Sequence, residues 1–130
     1  MRKRKITVAS LVIVLAIFIS SCAAKHPIHP STANKFDGDS YDVLMATDNI
    51  IKTTGQDLTA GKFPPGMDTN VKDALNSLVR VYNEADKVYR AYHDAATAGT
   101  VTPAQQAAVT SELNNVSKAT NTLKAAKVSK

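Results

Sequence analysis

Val71 to Ala96 reads VKDALNSLVRVYNEADKVYRAYHDAA, and in it Val71, Leu75, Leu78, Tyr82, Ala85, Tyr89, Tyr92 and Ala96 alternate steps of four and three residues without a break. That spacing keeps every apolar side chain on one side of a helix and is the pattern of a heptad seam. Ala74, Val81, Val88 and Ala95 repeat every seven residues beside it. A stripe this wide fits packing against two neighbours, which implies a bundle. Arg80 with Glu84, Asp86 with Arg90 and Arg90 with Asp94 stand four residues apart and mark the opposite, wet face. Asp68 or Thr69 is the expected cap at the start, and Gly99 stands where a helix ending near Ala98 wants a left-handed residue.

Downstream, Thr102-Pro103-Ala104-Gln105 places a capping box and a proline at the first helical position. Val109, Leu113, Val116, Thr120 and Leu123 continue the four-and-three alternation, while Ala107, Ala108, Ala119 and Ala126 allow close helix approach. Lys124, Lys127 and Lys130 sit towards the negative end of that helix dipole. Upstream, Gly61-Lys62-Phe63-Pro64-Pro65-Gly66 forces a turn, because paired prolines cannot continue a helix. Before the turn, Tyr41, Leu44, Ile51 and Leu58 form a thinner stripe capped by Asp39 or Ser40, with Thr53, Thr54 and Gly55 weakening its middle. The expected fold is all-α: a small up-down-up three-helix bundle over residues 41–130, with helices at about 41–58, 69–98 and 103–127. A chain of 130 residues has room for one such domain.

The first residues are of another kind. Arg2, Lys3, Arg4 and Lys5 precede a fourteen-residue apolar run, Ile6 to Ile19, which is the layout of a signal peptide. The run falls short of the ~20 residues that a stable transmembrane helix needs. It ends in Ile19-Ser20-Ser21-Cys22, which resembles the lipobox of bacterial lipoproteins: an aliphatic residue, two small residues and a cysteine. The resemblance implies that residues 1–21 are removed, that the Cys22 thiol carries a diacylglycerol, and that acyl chains hold the protein at a membrane. At about 0.8 kcal/mol per buried methylene, two or three chains hold firmly where one does not. Isoleucine stands where leucine is commoner in that class. Ala23 after the cysteine, rather than aspartate, implies the periplasmic face of the outer membrane if the cell is Gram-negative.

This leader also explains the net charge of +5, since four of the sixteen Lys and Arg belong to it. From Cys22 onward twelve cations face eleven carboxylates, and nucleic-acid binding loses its electrostatic basis. Cys22 has no partner for an internal disulfide, and an exported free thiol is a liability. Residues 22–40 carry Pro27 and Pro30 and lack periodicity, so they are expected to form a linker. In it His26 and His29 invite a metal reading, but the proline after each keeps the backbone out of a helix, and Asp37 and Asp39 fit turn and cap roles around Gly38. No metal and no cofactor are expected.

Catalysis would need a nucleophile with its base, paired carboxylates in a pocket, or a metal cluster, and none assembles from these residues. His93 lies beside Asp94, yet adjacent helical residues diverge by about 100 degrees, so Asp94 cannot orient its ring. The expected function is a non-catalytic scaffold or docking domain of the cell envelope with an unidentified protein partner. Two alternatives remain. Tyr82, Tyr89 and Tyr92 could present a face for a ligand or for an inhibited partner. The chain also resembles the major murein lipoprotein in Cys22, its helical character and the final Lys130, which implies a covalent link to peptidoglycan, although Pro64, Pro65 and Pro103 break the single long helix of that family. The seam could be filled within one chain or between two, which leaves the oligomeric state open.

Overall fold

The computed structural model describes residues 32–128. Three helices make up its regular structure: α1 (Lys35–Thr59), α2 (Met67–Thr97) and α3 (Pro103–Ala126). The chain is an all-α three-helix bundle whose short turns make successive helices antiparallel.

α2 is the central helix, with α1 and α3 both packed mainly on it and touching each other least. Its seam is filled within the chain. Val71, Leu75, Leu78, Tyr82, Ala85, Tyr89 and Tyr92 are all buried, joined by Leu44 and Ile51 from α1 and by Val109, Val116 and Leu123 from α3. Burial extends past the seam on both flanks. Ala74 and Val81 line a groove shared with Glu112, Asn115 and Ala119 of α3. Val79, Asp86 and His93 stand seven residues apart on the other flank, and His93 touches α1.

The expected turns form, and their chemistry can be read bond by bond. After α1, Gly61 takes φ +67° and donates to the Leu58 carbonyl, while Lys62 donates to Asp57. After α2, Gly99 takes φ +71° and donates to Ala96, while Thr100 donates to Ala95 at 2.8 Å. Both are Schellman closures, in which a left-handed residue just past the helix lets two orphan carbonyls be satisfied. The α3 capping box is complete: Thr102 Oγ accepts from the Gln105 N–H, and the Gln105 side chain accepts from the Thr102 N–H. At α2 the expected cap differs. Gly66 is the N-cap residue, and Asp68 lies inside the first turn, accepting from the N–H groups of Gly66 and Thr69.

α1 departs most from expectation. It begins at Lys35 rather than Tyr41, so the last six residues assigned to the linker are helical. The cap is Asn34, whose side chain accepts from the Asp37 N–H at 2.9 Å, not Asp39 or Ser40. Gly38 lies inside the helix where Thr32 folds over it, 3.2 Å from where a Cβ would stand, so a side chain there would be crowded. The helix also runs unbroken through Thr53, Thr54 and Gly55. Thr54 and Gly55 are buried, and tertiary packing overrides their poor propensity. In α3, Ala119 and Ala126 pack against the core as expected, whereas Ala107 and Ala108 face outwards.

Candidate functional site

The polar chemistry of the bundle collects between α1 and α2. Asp37 enters this interface in the first turn of α1 and has no exposed surface. Its Oδ2 accepts from the Ala33 N–H at 2.9 Å and from His93 Nδ1 of α2 at 2.8 Å. A carboxylate can only accept, so the ring proton lies on Nδ1. The Tyr89 side chain also hydrogen-bonds to Asp37. Burial pushes the Asp37 carboxyl up, but the bonds from Ala33, His93 and Tyr89 outweigh it and hold the group below its ordinary value. One turn away, Asn34 Nδ2 donates to the Tyr92 hydroxyl at 3.1 Å, and Phe36 meets the Tyr92 ring edge-on at 5.1 Å.

A second polar group lies further along the same interface. Asp48 and Asp86, 7% and 5% exposed, flank the fully buried Tyr82. Lys52 pairs with Asp48 and Arg90 with Asp86, the latter at 2.8 Å. Both cations reach in from the rim, with about half of each side chain in solvent. Burial pushes the Tyr82 hydroxyl well above its usual value, and the two aspartates push it further. Burial and the bond to Asp37 do the same to Tyr89.

This arrangement corrects the tyrosine face. Tyr82, Tyr89 and Tyr92 are 0%, 4% and 2% exposed and are covered by α1, so they form no open ligand or partner surface. Tyr41 lies over Tyr89 at 6.4 Å, and Phe36 covers Tyr92. The wet face is corrected at one position as well: Asp86 and Arg90 form the expected pair, but Asp86 is buried against α1. Asp37 and Asp39, read as turn residues, are helical, and Asp39 pairs on the surface with Lys35.

The Asp37–His93 pair is the feature that sequence reasoning missed. Asp94 does not orient the ring, as its helical position implied, but a carboxylate 56 positions earlier does. The signal that could have found it is the seven-residue step Val79, Asp86, His93, which puts the ring beside the seam. Chemically the pair is a clamp. His93 is held by Asp37 and lies 6.0 Å from the Tyr89 ring, and no serine or threonine hydroxyl among the described residues bonds to it. Among the described residues no three His, Cys, Asp or Glu side chains are placed to hold a metal ion. No helix there is long and apolar enough to cross a membrane. Ile19, Ser20, Ser21, Cys22, His26, His29 and Lys130 lie outside the described residues.

The fold and this polar interface define a three-helix domain with an apolar core and one cross-helix polar clamp, Asp37–His93. Comparison with known proteins gives no match, whether with family models, curated proteins or solved structures.

Proposed function

We propose that the chain is a lipid-anchored protein of the bacterial cell envelope, whose bundle is a non-catalytic scaffold or docking module held near a membrane by Cys22. The observation that carries the reading is the run Ile19-Ser20-Ser21-Cys22 behind a cationic and apolar leader. The bundle is compatible with it: α1 starts at Lys35, which leaves residues 22–34 between the anchor and the first helix. At ~3.3 to 3.6 Å per extended residue, that segment spans at most about 45 Å. The described helices supply no membrane span, so attachment would fall to the acyl chains. With Ala23 after the cysteine, the periplasmic face of the outer membrane is the favoured site in a Gram-negative cell.

Intact mass and membrane fractionation of the native protein beside a Cys22→Ala variant test this reading. The native protein should be heavier than residues 22–130 by its acyl groups and partition with membranes, while the variant should not. If both keep the leader mass, or both are soluble, Cys22 is not the anchor. Digesting peptidoglycan before extraction separates the murein-linked alternative, in which release through Lys130 would require the digestion.

A further inference from the structure

Every buried polar or charged side chain among the described residues, tyrosines aside, lies on α1 or α2 and none on α3. Asp37, Ser40, Thr47, Asp48 and Thr54 lie on α1, and Asp86 lies on the flank of α2 that faces it. The residues that α3 buries, Val109, Val116 and Leu123, are all apolar. The two interfaces therefore respond differently to opening. Separating α3 from α2 returns aliphatic surface to water. Separating α1 from α2 also rehydrates three carboxylates, and two of them, Asp48 and Asp86, keep their cation four residues along the same helix, so opening returns hydration without breaking those pairs. The Thr54 hydroxyl is fully buried without a hydrogen-bond partner among the described residues, a desolvation cost that is relieved on opening.

The α1 sequence points the same way. KFDGDSYDVLMATDNIIKTTGQDLT holds two glycines, four threonines, five aspartates and a single alanine. α3 holds six alanines behind a complete capping box. Glycine, threonine and aspartate rank low in helix propensity and alanine highest, so α1 is helical because it is docked.

We propose that α1 is a releasable strap: it undocks and unfolds as a unit while α2 and α3 remain paired as a hairpin. The Asp37–His93 and Asn34–Tyr92 bonds are the clasp at the end where the N-terminal segment enters. Release bares the Asp86–His93 flank of α2. It also extends the chain between residue 22 and the folded part from residues 22–34 to residues 22–66, a more than threefold gain in maximum span at ~3.3 to 3.6 Å per residue. That gain in reach rests on Cys22 being the anchor; the undocking does not.

Hydrogen exchange followed by mass spectrometry tests it, on native protein in mild detergent and, in parallel, on the full chain carrying Cys22→Ala. Amides from Leu44 to Leu58 should exchange at least about tenfold faster than those of Leu75–Tyr89 and Val109–Leu123 in both proteins. One common rate for all three helices, or α3 as the fastest, overturns the proposal. Asp37→Asn weakens the docked state, so the α1 amides should exchange faster than in the native protein and stay at least about tenfold ahead of those of α2 and α3. Loss of that gap between α1 and the other two helices, or no acceleration in α1, overturns it as well. Loss of anchoring in the fractionation experiment would leave these rates unchanged, so the two readings fail separately.

Discussion

Replacing His93 with alanine removes one donor from a carboxylate that has no route to water. Asp37 is fully buried and keeps only the Ala33 N–H and the bond from Tyr89. Losing a charge-assisted hydrogen bond costs about 1.5 to 3 kcal/mol, and the imidazole also packs beside Tyr89. We expect His93→Ala to destabilise the bundle by about 2 to 3 kcal/mol, a large part of the roughly 5 to 10 kcal/mol typical of a domain this size. At about 4 to 8 °C per kcal/mol, Tm should fall by roughly 10 to 20 °C. His93→Gln, which can keep an N–H directed at Asp37, should recover part of that loss.

The same substitution has a signature in pH. The Asp37 carboxyl is held below its ordinary value of 3.8 in the folded chain. A group depressed on folding contributes stability that is fully present above its unfolded pKa and is lost as pH falls through the folded one. The native protein should therefore lose this contribution only below about pH 4. In His93→Ala one of the three bonds that lowered the pKa is gone, while burial, which raises it, remains. The acid limb should then begin at higher pH. Urea unfolding by circular dichroism between pH 2 and 7 measures both effects. A variant within about 0.5 kcal/mol of native, with a superimposable acid limb, would refute the clamp, since surface substitutions fall in that range.

Other outcomes follow from the packing. Leu78→Ala, at a fully buried position of the seam, should cost about 2.5 to 5 kcal/mol in urea unfolding, because it leaves a cavity within the core cluster. Thr102→Ala removes the α3 cap and should cost about 0.5 to 2 kcal/mol, read as a fall in Tm with the helix content of the folded state unchanged. Tyr82 and Tyr89 are held above their ordinary value of 10.0, so their contribution is present below pH 10 and lost as pH rises. Absorbance at the tyrosinate band should show Tyr82 and Tyr89 ionising only with alkaline unfolding. Because the α2 seam is filled within the chain, the Cys22→Ala protein should sediment as a monomer at micromolar concentration.

How much of this was legible depended on what each helix buries. α2 announces itself because its seam is apolar at nearly every step, and hydrophobic periodicity needs nothing more. α3 is weakly amphipathic, with only Val109, Val116 and Leu123 buried, yet its capping box and Pro103 fixed its start because caps are written in adjacent residues. The turns were legible for the same reason: Gly61 and Gly99 each close a helix within two residues of themselves.

α1 was read too short because part of what it buries is charged. Its first turn is secured by Asn34, Phe36 and Asp37, none of which looks like the start of an apolar stripe, and the residues that accept them, Tyr92 and His93, are more than fifty positions away. A buried aspartate is indistinguishable in sequence from a solvated one until its partner is known, and that partner is chosen by the antiparallel register of α1 on α2. The register in turn is set by the apolar minority, Leu44 and Ile51, which seat against the seam and carry Asp37 to His93 and Asp48 towards Tyr82. The polar contacts are thus a consequence of packing that then restrains it. A shift of α1 by one residue would turn Leu44 and Ile51 off the seam and part Asp37 from His93, while Asp48 and Asp86 keep the cations on their own helices, which is a reason for the Asp37 clamp to specify one register even where it contributes little net stability.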